Sequence, residues 1–161
     1  MTDCRAFVTK SNGFMNRLVN NVIILFNEKQ IEIQGLWDTG ATNSCISMEV
    51  VERLELIKTG FSDVKTPSGQ SRRNTYLIDV ALPNHVIVKD VRVNDSEIGK
   101  QGLGILIGMD IIRLGDFAVS NYNGKTVFTF RHPSQKCIDF VTPINIQNII
   151  GKKHGSGKKK R

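Results

Sequence analysis

Apolar and polar residues alternate along most of this chain with a period of two, the signature of strands that bury one face. Residues 22–26 are uniformly apolar and predict a short buried strand, and residues 27–29 turn the chain into a second one. That second strand carries Ile31, Ile33, Leu36 and Trp37 and runs directly into Asp38. Cys45 and Ile46 then return to strand. Ser47 is placed to cap a short helix reaching Leu54, with Glu49 in its first turn, where the helix dipole favours an anion. Tyr76, Ile78, Val80 and Leu82 alternate with Leu77, Asp79 and Ala81, and Pro83-Asn84 turns the chain into a strand over 85–93. Residues 103–107 predict another strand and 109–114 a short helix. Two last strands, 117–120 and 127–130, flank Asn121-Tyr122-Asn123-Gly124, a good hairpin turn because Asn-Gly accepts positive φ. Many short strands with two small helices predict a mostly β, barrel-like fold. No segment repeats another, so the chain is not a duplicated, two-lobed molecule.

Charge changes this picture only at one end. At 161 residues the chain is long enough for one domain whose core needs no staple. Its net charge of +7 is unevenly placed: six cations, Lys152, Lys153, Lys158, Lys159, Lys160 and Arg161, fall within residues 151–161, which hold no acid. The rest balances 16 basic against 15 acidic residues, so the high pI describes a tail and gives the body no basic binding face. The organisation expected is an N-terminal extension over 1–20, a folded domain over 21–145 and a basic, disordered tail over 146–161. Nucleic acid or another polyanion is expected at most on that tail, and its Gly/Ser content fits a solvated segment better. Cys4, Cys45 and Cys137 are odd in number and widely spaced, which gives neither a disulfide framework nor a zinc knuckle. His85, His132 and His154 lack ligand spacing, so no metal and no cofactor is expected. Gly124-Lys125-Thr126 ends like a phosphate loop, but position 119 is Val where Gly is required. Gly155-Ser156-Gly157 lacks the strand and spacing of a nucleophile elbow. Without a signal-peptide pattern or a membrane-length apolar run, a reducing, cytoplasmic setting without membrane contact is expected.

The chemistry concentrates in Leu36-Trp37-Asp38-Thr39-Gly40-Ala41-Thr42. A carboxylate between an apolar strand end and a tight glycine turn can be held rigidly, nearly buried and ringed by backbone N–H donors, so that it acts as a base. Alone, Asp38 could equally be a turn-capping aspartate. A second apolar run, Ile105-Leu106-Ile107-Gly108, ends seventy positions after it. No second Asp-Thr-Gly or Asp-Ser-Gly occurs, so a second carboxylate has to come from another copy of the chain.

Asp38-Thr39-Gly40-Ala41 with Ile107-Gly108 resembles the retropepsin-type aspartic proteases, single-domain homodimeric relatives of pepsin. The likeness runs on through Met109-Asp110-Ile111-Ile112 and Gly115-Asp116-Phe117, covers about residues 20–135, and is similar to the retroviral-like proteases of prokaryotic genomes. The resemblance implies a two-fold homodimer, a catalytic Asp38, and an extended peptide or protein substrate. Thr39 would bond across to the partner's loop and Gly40 would allow close backbone approach. Ile107 and Gly108 would pack beside the catalytic turn, and Ala41 would leave the carboxylate without a hydroxyl donor, implying a mildly acidic optimum above that of pepsin-like enzymes. Asp110, near a helix start, is read as structural. The resemblance also implies a mobile hairpin flap over the substrate. Thr66, Pro67, Ser68 and Gly69 are preferred for its tip, in a hairpin over 65–73, because Pro followed by Gly is the stronger turn chemistry. The competing turn is Lys58-Thr59-Gly60-Phe61. Two functions follow: an aspartic endopeptidase, or a catalytically silent dimerisation or binding module of the same fold that offers its basic tail to an acidic partner.

Overall fold

The computed structural model describes residues 3–66 and 69–155. Ten strands and three helices follow in order: β1 (Arg5–Lys10), β2 (Val19–Phe26), β3 (Lys29–Trp37), β4 (Cys45–Ser47), α1 (Met48–Leu54), β5 (Lys58–Thr66), β6 (Gly69–Leu82), β7 (Val86–Ser96), β8 (Ile105–Ile107), α2 (Met109–Ile112), β9 (Asp116–Ser120), β10 (Val127–His132) and α3 (Val141–Gly155). Six strands close into a barrel in the order β2-β3-β8-β4-β7-β6, with β6 returning to β2 through Ile23↔Ala81, Ile24↔Val80 and Leu25↔Asp79. β5 extends the sheet outward from β6, and a separate sheet, β1-β10-β9, packs beside the barrel. The mostly β, barrel-like expectation is met.

Local sequence explains most of these elements. Val22, Ile24, Ile46, Val80, Val93, Ile105 and Ile107 are almost wholly buried, and they are the period-two positions that turn inward. Ser47 caps α1 by accepting from Val50 N–H at 3.3 Å, while Val50, Val51 and Leu54 face the core. Asn84 and His85, both at positive φ, form the turn between β6 and β7, and Asn123 and Gly124 do the same between β9 and β10. Lys58-Thr59-Gly60-Phe61 is not a turn: it lies in β5, with a register irregularity between Lys58 and Gly60.

Three features differ from the sequence reading. β1 pairs with β10 along its whole length, from Arg5↔His132 to Lys10↔Val127, and puts Phe7 in the core, so residues 5–10 are part of the fold. The β5–β6 hairpin spans far more than 65–73, pairing from Lys58↔Tyr76 out to Thr66↔Gly69. Residues 141–155 are helical where a disordered tail over 146–161 was expected, with Val141, Ile144, Ile146, Ile149 and Ile150 exposed. Among the described residues no helix is long and apolar enough to cross a membrane.

The two sheets meet in an aromatic cluster. Trp37, the residue before Asp38, stacks on Phe117 with ring centroids 5.1 Å apart and also touches Phe7, Phe128 and Phe130. Its indole N–H donates to Asn20 Oδ1 at 2.9 Å and its backbone N–H to Leu18 O, so the last residue of β3 is fixed on every side. β9 is clamped in turn: a Cβ on Gly115 would lie 2.0 Å from Arg131 O, and Asp116 accepts from Arg131, Ser134 and the Gln135 N–H. Trp37→Ala should therefore cost about 3–5 kcal/mol of folding stability. Equilibrium denaturation in urea checks this, and a loss under 1 kcal/mol would show that the cluster is not the anchor described.

Candidate active site around Asp38

Asp38 stands where β3 leaves the barrel. β3 runs parallel to β8 with Gly35↔Ile105, Leu36↔Leu106 and Trp37↔Ile107 in register, and Asp38 N–H continues the ladder by donating to Ile107 O at 3.0 Å. Gly35 is needed for that pairing, because a Cβ there would press on Ile105, Ile107 and Val22 at 3.2–3.3 Å. The chain then turns: Gly40 N–H donates to the Asp38 carboxylate at 2.8 Å, and Ala41 N–H reaches Asp38 O at 3.3 Å. A side chain at Gly40 would start 3.1 Å from that same carboxylate oxygen, which explains the glycine.

The turn is held from behind by β8 and α2. Met109 N–H donates to Ala41 O at 2.8 Å and Asp110 N–H to Thr42 O at 3.2 Å. Buried Ser44 accepts from Gly108 N–H at 3.0 Å and donates to Asp110 Oδ1 at 2.7 Å, while its backbone N–H donates to Asp110 Oδ2 at 2.9 Å. Asp110 also accepts from Ile111 N–H at 3.0 Å. Its carboxylate is thus taken up in tying α2 to the turn, the structural role read from the sequence. Gly108 is pressed against the turn itself: a Cβ there would lie 2.7 Å from the Asn43 carbonyl carbon and 2.9 Å from Ala41 O. Sequence reasoning missed Ser44. Its signal was a small hydroxyl residue between the Asp-Thr-Gly turn and the next strand, which by itself reads as an ordinary loop serine.

The structure brings Asp38, Thr39, Gly40, Ala41, Ile107 and Gly108 together in one assembly. It differs from the expected environment in one respect. Asp38 is half-buried, Thr39 and Gly40 are exposed, and among the described residues the carboxylate accepts a single hydrogen bond, from Gly40, rather than a ring of them. The turn is supported on its barrel side and open on the other. Thr39 has no hydrogen-bond partner among the described residues, so its hydroxyl is free to reach outward. Cys45 lies beside Leu106 on the neighbouring strand, and burial pushes its thiol pKa up, leaving it a small, neutral packing residue.

Of the expected flap residues, Thr66 and Gly69 pair at the end of the β5–β6 hairpin, and Pro67 and Ser68 lie outside the described residues. Burial along the hairpin alternates: Ser62, Val64, Ser71 and Arg73 are half-buried, while Phe61, Asp63, Lys65, Gln70 and Arg72 are exposed. One face therefore turns toward the barrel. Among the described residues no three His, Cys, Asp or Glu are grouped to hold a metal ion.

Gly108→Ala should lower stability by about 1–3 kcal/mol through overpacking against Asn43. Ser44→Ala should cost a similar amount by leaving Gly108 N–H without its acceptor and taking the hydroxyl donor from Asp110 Oδ1. Thermal unfolding monitored by circular dichroism measures both, and unchanged midpoints would contradict the packing described.

No family model matches the chain, and no curated protein matches it. Solved structures do. A retropepsin-like aspartic protease from Rickettsia conorii superposes with a TM-score of 0.55 at 14% identity, covering 82% of this chain and 98% of that one. EIAV protease complexed with the inhibitor HBY-793 gives a TM-score of 0.50 at 19% identity, covering 63% of this chain and 90% of that one. The barrel, the Asp38 turn at the end of β3 and the likeness to these structures lead to one conclusion: the chain has the retropepsin-like aspartic protease fold.

Proposed function

We propose that the protein is an aspartic endopeptidase working as a homodimer, in which one Asp38 from each chain flanks the attacking water. The observation that carries this reading is the half-exposed Asp38 carboxylate, braced from behind by β8 and α2 and open in front, on a fold otherwise seen in retropepsin-like proteases. A single Asp-Thr-Gly per chain requires a second chain to supply the second carboxylate.

Two carboxylates roughly 3 Å apart cannot both ionise, so they share one proton and titrate as a pair. The ionised one takes a proton from water as the water oxygen bonds to the scissile carbonyl carbon. The protonated one gives its proton to the carbonyl oxygen, and a neutral tetrahedral diol results. When the diol collapses, the C–N bond breaks, the nitrogen takes the pair's proton, and a diol hydroxyl returns one to the pair. Gly40 N–H holds one oxygen of each carboxylate, which leaves the other to face the water. Thr39 is free to bond with the partner's turn and lock the two together. Substrate would lie extended beneath the β5–β6 hairpin, with Thr66, Pro67, Ser68 and Gly69 at the flap tip, using strand-type backbone hydrogen bonds. No metal or cofactor enters this chemistry.

Asp38→Asn should abolish cleavage of a peptide library at unchanged thermal stability, and specific activity of the wild type should fall on dilution through the dimer dissociation constant. Cleavage by pure Asp38→Asn protein, or full activity from a monomer shown by sedimentation, would sink the proposal. A catalytically silent module would give no cleavage by either protein.

Rate against pH should be bell-shaped, because only the singly protonated pair works. A hydroxyl donated to the ionised carboxylate favours ionisation, so Ala41→Ser should move the acid-side limb to lower pH. Profiles of both proteins on one peptide, with dimer content checked at each pH, test this. Coincident profiles would remove residue 41 from the account.

A further inference from the structure

The open face around Asp38 continues well past the turn. Strand register sets Leu36, Leu106, Cys45 and Asn94 side by side across β3, β8, β4 and β7, and all four are half-buried. Side chains two residues apart share a face, so Asp38 follows Leu36 at one end of this row, and Arg92 follows Asn94 at the other. The hairpin joins at that far end, where the Ser62 hydroxyl donates to Asn94 Oδ1 at 2.6 Å. There a pocket of about 450 Å³ opens, lined by Asn43 from the Asp38 turn, Ser62 and Asn94, together with the cations Lys89, Arg92 and Arg113.

These cations are exposed, and none of the three is in an ion pair among the described residues. Two carboxylates also line the pocket, those of Asp90 and Asp110. Among the lining residues three cations thus face two carboxylates, of which Asp110 is already engaged by Ser44 and Ile111 N–H, and Asp79 stands beside Asp90, accepting its N–H at 2.9 Å.

We propose that this pocket is a substrate subsite that takes an acidic side chain. The proposal rests on the reading of Asp38 as the peptidase centre. Along the sheet β3 and β7 are three interstrand spacings of about 4.8 Å apart, so the curved barrel puts them at most roughly 14 Å apart, a span that an extended chain covers within about four residues. An Asp or Glu about four residues from the scissile bond therefore reaches Arg92 and Arg113, whose planar guanidinium groups match a carboxylate in two-point hydrogen bonding. Asn43 and Ser62 supply neutral polar contacts at the pocket wall.

The test uses full-length Asp38→Asn protein, which can hold peptide without cutting it. The probes are fluorescent decapeptides that differ only in Glu or Gln at each position in turn, with binding read by anisotropy. At one position Glu should bind about tenfold more tightly than Gln. That preference should vanish when Arg92→Ala and Arg113→Ala are combined. Thermal unfolding midpoints matching that of the parent show that the variants remain folded. Equal binding of every Glu and Gln pair, or a preference that survives in the double variant, would overturn the subsite. Cleavage by the wild-type protein is scored separately: its absence would count against the peptidase reading, while the Glu-against-Gln comparison would still decide what the pocket binds.

Discussion

The position of Asp38 depends on one close approach, the seating of Gly108 against the backbone of the 38–44 turn. With no side chain at 108, β8 and α2 come near enough for Met109 and Asp110 to donate to Ala41 and Thr42, and for Ser44 to bridge Gly108 and Asp110. The turn is therefore braced on its inner side, while among the described residues the carboxylate accepts only from Gly40 N–H. Fixed geometry, with one oxygen held by Gly40 N–H, is what the role proposed for Asp38 as a base requires.

Rigidity is passed outward through Trp37. The residue that ends β3 inside the molecule is packed among Phe7, Phe117, Phe128 and Phe130, which come from the small sheet, while the barrel closes independently between β2 and β6. Two separately formed units thus grip the same strand end. The hairpin, by contrast, is held at its base, where Thr59 bonds Thr75 and Ser62 bonds Asn94, and farther out Arg72 lies over the Phe61 ring. A long arm with few buried contacts is the part of a fold that opens at least cost, which suits a cover over an extended substrate.

The strands read over 22–26 and from Ile31 to Trp37, the capped helix after Ser47 and the two Asn-containing turns were legible in the sequence, because period and turn chemistry are local. The partnership of Asp38 with Ile107-Gly108 was legible for a different reason: the two motifs together resemble those of a known family, a link that neither motif carries by itself. What stayed hidden depended on long-range pairing. Arg5–Lys10 alternates weakly and looks like an extension until β10 is seen beside it. Ser44 and Asp110, sixty-six residues apart, show no pattern that links them. The helix over Val141–Gly155 carries apolar residues without a helical stripe and a proline in its first turn, so periodicity does not announce it, although Asp139 accepts from Val141 N–H and the Thr142 hydroxyl at its start.

The central claim is that two Asp38 carboxylates act as one unit. It is tested most directly by mixing wild-type and Asp38→Asn chains, letting the subunits exchange, and measuring activity against the wild-type fraction. If both carboxylates are required, an equal mixture should keep about one quarter of the activity of the same total concentration of wild-type chains, following the square of the fraction. Retention of about one half, in direct proportion to the wild-type chains present, would show that each chain acts alone and would contradict the account.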